Sequence, residues 1–377
     1  MRRILGLIIL AALGIGGALG VPKYISYVHQ YAGTTFNPES VVGDVPTYFY
    51  LDWRGYLPPA VLADHLDEEG LLDFKDAVEF EGRARRDPLR MIQACLGLVD
   101  QQYDGRDAAT DLILRAQVGY LLSEAMLLLP GGIPVWPQYY TFDRYGLEAP
   151  WISALTQGQA VSLLVRMASL TGQSIYGEWA GRAAQAFRTP GLPIVWHGEP
   201  GDEGLFFEEF PCRPPSHVLN GCLLAWLGMW DWARYSGDAE YRAFCLRALE
   251  QIEHRVPQYE LGDWTRYDVL QRRPTSPAYQ EIHAALARTL HAITGAPFWG
   301  DRAQRWRGAA GDAVKRTGVF FAVAADHLRE LLTGRPEPEG LGLDDLPAVG
   351  HAAAVPVAAR WSAVRPAGSM IHRREMA

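Results

Sequence analysis

The chain has 377 residues, of which 49% are hydrophobic and 21% are charged, a balance typical of a globular protein and not of a disordered one. Its net charge of −8 argues against general nucleic-acid binding, which requires a basic surface. The four cysteines form no CxxC pair and no Cys/His cluster at zinc spacing, so the sequence gives no sign of a structural zinc site.

The first 21 residues have the pattern of a targeting element. Arg2 and Arg3 precede a nearly unbroken apolar run that extends from residue 4 to residue 21. This length lies at the lower limit for a membrane span and at the upper limit for the apolar region of a signal peptide. Both alternatives place the rest of the chain outside the cytoplasm. We therefore expect an exported protein, either cleaved or anchored in a membrane by this single segment.

Residues 22–86 form a short region with strand character. The segment PTYFYLDWRGY at 46–56 is rich in aromatic residues and indicates a strand or hairpin. A helical pattern begins at Asp87-Pro88, because aspartate is a favoured helix cap and proline is favoured at the first helical position.

From residue 87 onward the hydrophobic residues recur with helical spacing, and strand signals are nearly absent. Helices are predicted over about 87–103, 108–129, 151–170, 178–187, 216–235, 239–255, 278–294, 298–306 and 311–332. Buried and amphipathic helices alternate, which indicates stacked helix pairs that either close into an α/α toroid or form an open solenoid. We therefore expect an all-α domain over residues 87–332. The tail at 333–377 is rich in Pro, Gly and Ala and is predicted to be disordered.

Four signatures lie in the middle of the chain: APWISALTQGQAVSLLVR (149–166), EEFPCRPPSHVLNG (208–221), TRYDV (265–269) and SPAYQEIH (276–283). Together they resemble the C-terminal domain of the D-glucuronyl C5-epimerases, enzymes that invert C5 of hexuronic acid units within a polysaccharide. The resemblance covers roughly residues 85–310 and independently implies an α/α toroid. Members of that family carry β-rich material before the toroid, and the corresponding region is short here.

Inversion at C5 of a uronate sets clear chemical requirements. A base removes the proton next to the carboxylate, and an acid returns a proton to the opposite face of the ring. The carboxylate must be neutralised, because the intermediate places extra negative charge on it. The reaction requires no metal or organic cofactor. The partner that the resemblance implies is an anionic polysaccharide, heparosan or another glucuronan, whose D-glucuronate units become L-iduronate; the oligomeric state is open, with a homodimer as one alternative.

The resemblance points to three catalytic positions. Tyr267 in TRYDV and Tyr279 in SPAYQEIH correspond to functional tyrosines of the family, and Glu209 corresponds to a proposed acid/base position. A tyrosine has an ordinary pKa of about 10, so nearby positive charge must help it to ionise. The family carries a tyrosine where this chain has Phe210, which can neither transfer a proton nor donate a hydrogen bond. The paired roles therefore fall to Glu209 and Tyr279, with Tyr267 assisting.

Candidates for substrate binding are His283, Arg266, Asn220, Arg166 and Gln157. His283 lies four residues after Tyr279 on the same helix face and could either neutralise the substrate carboxylate or be a core histidine. Asn220 interrupts an apolar helix and must find polar partners, which favours holding the Glu209 loop over touching substrate. Arg166 could equally cover a helix surface.

Two other functions are compatible with the sequence. A polysaccharide lyase begins with the same proton abstraction and continues to β-elimination at C4. A glycan-binding relative without catalytic activity is suggested by Phe210.

Overall fold

The structure, a computed structural model, describes residues 35–36, 51–53, 62–74, 86–198, 204–319, 322 and 338–343. Eight helices dominate this part of the chain. They span Pro88–Asp104 (α1), Ala108–Ser123 (α2), Ala154–Thr171 (α3), Ser174–Gln185 (α4), Leu219–Ser236 (α5), Ala239–Arg255 (α6), Pro277–Thr294 (α7) and Pro297–Gly311 (α8).

The helices are arranged in consecutive pairs. Each odd-numbered helix packs against the even-numbered helix that follows it and against the next odd-numbered helix. The odd-numbered helices therefore form an inner layer, and α3 and α5 are buried along almost their whole length. The even-numbered helices lie outside, and α6 buries only one of its faces. This is the layered arrangement of an α/α toroid, so the predicted all-α fold is confirmed.

Short two-stranded antiparallel sheets connect or brace the helices. The strands are Thr35–Phe36 (β1), Leu51–Asp52 (β2), Leu127–Leu129 (β3), Ile133–Val135 (β4), Val195–Trp196 (β5), Phe206–Phe207 (β6), Cys212–Arg213 (β7), Glu260–Leu261 (β8), Trp264–Thr265 (β9) and Glu339–Gly340 (β10). The prediction of a strand within 46–56 agrees with β2, which pairs with β1. The β1 strand lies against α7, and Trp53 donates a backbone hydrogen bond to Asp100 on α1. This pair of strands therefore links α1 and α7.

Local sequence signals explain where the helices begin and end. Asp87 accepts a hydrogen bond from the backbone of Arg90, which confirms the predicted start of α1. Ser276 caps α7 in the same way by accepting from the backbone of Tyr279. The prediction that the second helix extends to residue 129 is wrong. The helix ends at Ser123, and residues 127–129 form β3. The glycines at 131 and 132 adopt positive φ and turn the chain into a hairpin.

Two glycines bring α3 and α5 into backbone contact. A Cβ atom on Gly158 would lie 2.5 Å from the Cα atom of Ala225, and one on Gly228 would lie 1.9 Å from the carbonyl oxygen of Gly158. Only residues without a side chain allow so close a crossing. The crossing fixes the two helices relative to each other, and their amino-terminal ends carry the segments described below.

Part of the C-terminal tail is ordered against the helical domain. Residues 338–343, here called the C-terminal strap, pair with β7 through β10. The backbone of Leu341 donates to the carbonyl oxygen of Pro211 at 2.9 Å, and that of Leu343 donates to Pro150 at 3.1 Å. The expectation of disorder after residue 333 is therefore wrong for these six residues, because their backbone groups find partners in β7 and in two loops.

In the described residues, no helix combines the length and the apolar character that crossing a membrane requires. The predicted targeting segment, residues 1–21, lies outside the described part of the chain.

Candidate functional site

The loops that carry the predicted catalytic residues meet at the amino-terminal ends of α3 and α5. The backbone of Ala154, at the start of α3, donates to the carbonyl oxygen of Glu208 at 2.9 Å. The backbone of Leu219, at the start of α5, donates to the carbonyl oxygen of Tyr267 at 3.2 Å. Val218 forms an antiparallel bridge with Asp268. Segments about fifty residues apart in sequence are thereby brought to one end of the inner layer.

Glu209 is a buried carboxyl group with an unusual environment. Its side chain is only 7% exposed, and its Oε2 atom has no hydrogen-bond partner among the described residues. Burial, assisted by the negative charge of Glu208, raises the pKa of Glu209 to about 8. At neutral pH the group therefore carries its proton most of the time and can act as an acid.

Gly221, in the first turn of α5, provides the space for this carboxyl group. A Cβ atom at position 221 would lie 2.1 Å from Oε2 of Glu209 and 2.6 Å from its Cβ. The glycine of the VLNG signature therefore has a direct structural purpose, which is to let Glu209 lie against the helix.

Glu208, the neighbour of Glu209, holds the turn that precedes α5. Its carboxylate accepts hydrogen bonds from the hydroxyl of Ser216 at 2.9 Å and from the backbone N–H of His217 at 3.0 Å, and it also pairs with Nδ1 of His217. His217 adopts a left-handed backbone conformation with φ of 48°. Both glutamates of the EEFP motif are buried, so neither is a solvated loop carboxylate. Sequence reasoning had assigned no role to Glu208.

Tyr267 and Tyr279 are in direct contact. Their ring centroids lie 5.0 Å apart, and the rings are nearly perpendicular at 78°. Tyr267 follows β9 and Tyr279 lies in the first turn of α7, and both side chains are half-buried. The structure thus brings two of the predicted catalytic residues together. The third, Glu209, is joined to the same place through the first turn of α5, which holds both the carbonyl oxygen of Tyr267 and the carboxyl group of Glu209.

Phe210 lies in an aromatic cluster next to these residues. Its ring stacks on Tyr145 with centroids 4.6 Å apart and an angle of 13°, and the edges of Phe142 and Trp151 complete the enclosure. The hydroxyl of Tyr145 donates to Oδ2 of Asp268 at 3.1 Å. Burial raises the pKa of Tyr145 well above its ordinary value, so that this hydroxyl keeps its proton. Sequence reasoning missed Tyr145, which lies outside the four signatures.

Arg166 and Gln157 are corrections to the predicted substrate-binding set. Arg166 is 2% exposed, pairs with Asp100 of α1, and lies about 18 Å along α3 from Ala154 at the usual helical rise. The side-chain amide of Gln157 donates to the carbonyl oxygens of Pro134 and Ala183, both at 2.9 Å. These contacts hold helices and a hairpin together, so neither side chain is available to a substrate.

His283 is also a correction, because it lies in the core. It is fully buried, and its Nδ1 atom lies 2.8 Å from the hydroxyl of Thr265. Burial lowers its pKa to about 3, so the ring is neutral at physiological pH and cannot neutralise a carboxylate by charge. Of the two alternatives for this residue, the core histidine fits the structure.

Asn220 and Arg266 lie next to the catalytic candidates. Asn220 is 2% exposed, and its Oδ1 atom has no hydrogen-bond partner among the described residues. Arg266 is half-buried, and its guanidinium donates to the carbonyl oxygen of Gln258 at 3.3 Å. Their contact with a substrate stays a prediction. Within the described residues, no group of three or more His, Cys, Asp or Glu side chains is placed to hold a metal ion.

Part of the chain is similar in sequence to known proteins. Residues 131–308 match the family model described as D-glucuronyl C5-epimerase C-terminus. An uncharacterized protein of Methanocaldococcus jannaschii is 28% identical over 176 residues, which cover 46% of this chain and 57% of that protein. A D-glucuronyl C5-epimerase of Caenorhabditis elegans is 27% identical over 187 residues, which cover 44% of this chain and 29% of that enzyme.

These alignments span only a part of each relative. Among solved structures, a glycoside hydrolase family 76 mannosidase of Bacteroides thetaiotaomicron superimposes with a TM-score of 0.38 at 10% identity, covering 65% of this chain and 71% of that one. That similarity is too low to support a conclusion about this chain. The family match contains Glu209, Tyr267 and Tyr279, and together with the Caenorhabditis elegans relative it supports the resemblance to the D-glucuronyl C5-epimerases that the sequence signatures predicted.

Proposed function

We propose that this chain is a polysaccharide uronate C5-epimerase, which converts D-glucuronate units to L-iduronate. The observation that carries the proposal is Glu209, a buried carboxyl group whose Oε2 atom has no hydrogen-bond partner among the described residues and whose pKa is about 8. It lies at the same end of α5 as the loop of Tyr267, which contacts Tyr279. A protonated acid near two tyrosines fits a reaction that moves one proton off and another onto the same carbon.

In the proposed reaction Tyr279 removes the C5 proton, assisted by Tyr267. The C5–H bond breaks, and its electron pair moves onto the neighbouring carboxylate. Glu209 then donates its proton to the opposite face of C5, which forms the new C–H bond and inverts the centre. Both groups return to their starting protonation states by exchange with water. Ionising a tyrosine at neutral pH costs on the order of 4 kcal/mol, so the site must supply a compensating positive charge or hydrogen bond.

Heavy water tests the proposal directly. The purified protein is incubated with heparosan and with other glucuronate polymers in D2O, and deuterium at C5 is measured by mass spectrometry and NMR. An epimerase incorporates deuterium at C5 and produces iduronate without shortening the polymer. A folded protein that incorporates no deuterium with any glucuronan would refute the proposal.

Phe210 favours one alternative, a glycan-binding relative that lacks catalysis, because it removes a hydroxyl that the family carries at this position. Such a protein would bind a uronan and leave its C5 protons in place. A lyase is distinguished in the same experiment, because β-elimination produces unsaturated uronate that absorbs in the ultraviolet.

Export is a further part of the proposal, because an extracytoplasmic enzyme would meet such a polymer outside the cell. It is supported by Arg2, Arg3 and the apolar run that follows them. Alkaline phosphatase, which is active only after export, is fused after Tyr24. Phosphatase activity is expected, and an inactive fusion that is nevertheless synthesised would contradict export.

A further inference from the structure

Asp268 forms hydrogen bonds with residues of two different loops at the candidate site. Its Oδ1 atom accepts hydrogen bonds from the backbone N–H groups of Gln271 and Arg272. Its Oδ2 atom accepts from the hydroxyl of Tyr145, the one donor to this atom among the described residues. Asp268 is 1% exposed, so water cannot easily replace a lost partner.

The backbone around Asp268 is held in a strained turn. Arg272 has φ of 57°, a left-handed conformation that residues other than glycine rarely adopt. The turn returns the chain so that the backbone of Tyr267 donates to the carbonyl oxygen of Arg273 at 2.9 Å. The position of Tyr267 therefore depends on a turn that Asp268 closes.

Tyr145 reaches Asp268 from a different part of the chain, 123 residues earlier. Its ring is fully buried and lies flat on Phe210. The hydroxyl that residue 210 lacks is therefore present on the adjacent ring, where it is directed at the turn of Tyr267.

We propose that Tyr145 is a positioning residue for the epimerisation, one that sets the location of Tyr267 by its hydrogen bond to Asp268. The inference rests on the proposed function and adds to it a residue outside the family signatures. Without the hydroxyl, Oδ2 of Asp268 has no donor in a buried site, and the carboxylate must turn to find one. That movement releases Gln271 and Arg272 and displaces Tyr267 from its contact with Tyr279.

The test is the substitution Tyr145→Phe, which keeps the stacking ring and removes one hydroxyl. We expect kcat for C5 exchange to fall by about 10- to 100-fold, because small displacements of catalytic groups have effects of this size. KM should stay within about twofold, since Tyr145 does not touch the substrate. Tyr103→Phe is the matched control, because it removes another largely buried hydroxyl, one that donates to the carbonyl oxygen of Arg166 near the far end of α3. It should leave kcat unchanged.

A second measurement does not depend on activity. Amide hydrogen exchange of the peptide that covers residues 267–272 should be faster in Tyr145→Phe than in the wild type, and unchanged in Tyr103→Phe. If the wild type catalyses C5 exchange in none of the glucuronans tested, the proposed function is wrong. The amide measurement then still tests whether Tyr145 positions the turn that contains Tyr267. Wild-type kcat together with wild-type amide exchange in Tyr145→Phe would overturn the inference.

Asp268→Asn provides a second variant in case Tyr145→Phe does not fold. It weakens the same hydrogen bond by removing the charge of the acceptor, and it preserves the shape of the side chain. The expected result is again a lower kcat at nearly constant KM. Kinetics equal to those of the wild type would refute the link between Asp268 and Tyr267.

Discussion

The carboxyl group of Glu209 occupies the volume that a side chain at Gly221 would fill, since a Cβ atom there would lie 2.1 Å from Oε2. The position of the proposed acid thus depends on the absence of an atom on the neighbouring helix. This relationship leads to a prediction that separates the placement of the acid from its chemistry.

Gly221→Ala should displace Glu209 and lower C5 exchange by at least about 100-fold, the contribution expected of a general acid. The matched control is Gly119→Ala on α2, where a Cβ atom meets nothing within 4 Å. The control should keep full activity and gain up to about 1 kcal/mol of stability, because alanine is the better helix former. Full activity in folded Gly221→Ala would contradict the assignment of Glu209.

Glu209→Gln should abolish exchange, and wild-type activity should decline as pH rises through about 8, where the acid loses its proton. Stability has its own pH dependence. The pKa of Glu209 is raised on folding, so its contribution to stability is fully present below the ordinary pKa of 4.5 and is lost as pH rises through about 8.

The Gln variant carries no charge at any pH and escapes this loss. Its melting temperature relative to the wild type should therefore be higher at pH 9 than at pH 5. Equal differences at the two pH values would show that Glu209 does not ionise with a raised pKa.

Tyr279→Phe should reduce C5 exchange by about 10²–10⁴-fold, the range for a general acid–base group. Phe210 has no hydroxyl that could take over the proton. Tyr235→Phe, at an exposed tyrosine near the end of α5, serves as the control and should be fully active. Unchanged exchange in Tyr279→Phe would rule out the proposed base.

Phe210→Tyr restores the residue that the family carries and should raise or retain activity. The new hydroxyl would enter a cluster in which Tyr145 already donates to Asp268. Exchange by the variant is measured in D2O beside the wild type. A silent wild type together with an active Phe210→Tyr would identify a natural relative that has lost catalysis.

Arg166→Met should destabilise the protein without changing its chemistry. Removing one member of a buried ion pair typically costs about 3–5 kcal/mol, because the partner charge stays buried. Asp100 and the nearby Asp231, whose pKa is raised to about 6 mainly by burial, would then face each other without the guanidinium. Chemical denaturation measures the loss, and the folded fraction should show wild-type kcat and KM. A rise in KM at unchanged kcat would indicate that Arg166 contacts the substrate after all.

The sequence predicted those features that depend on a few neighbouring residues. Asp87 and Pro88 together mark a helix start, and the structure has α1 beginning there. The paired-helix fold followed from the spacing of apolar residues, and the family resemblance supported it. The hairpin of β3 was missed because its leucines fit a helical pattern equally well, and only the turn conformation of two glycines decides between them.

The candidate site was predictable only where a signature contains it. Glu209 and Tyr279 were found in this way, but a signature does not separate residues of the site from residues that pack beneath it. Gln157 belongs to a signature, but its side-chain amide donates hydrogen bonds to two backbone carbonyl oxygens within the fold. Tyr145 shows the opposite failure, because its partner lies 123 residues away and no local pattern connects them.

The C-terminal strap affects which residues a recombinant fragment of this protein should include. The family match ends at residue 308, yet residues 338–343 are hydrogen-bonded to β7 and to the loops at Pro150 and Pro211, which flank the aromatic cluster of Phe210. A recombinant fragment trimmed to the matched region would leave β7 as an open strand edge, a surface prone to pairing with other chains. We therefore expect a fragment that continues to Leu343 to stay soluble at concentrations at which a fragment that ends at residue 308 aggregates.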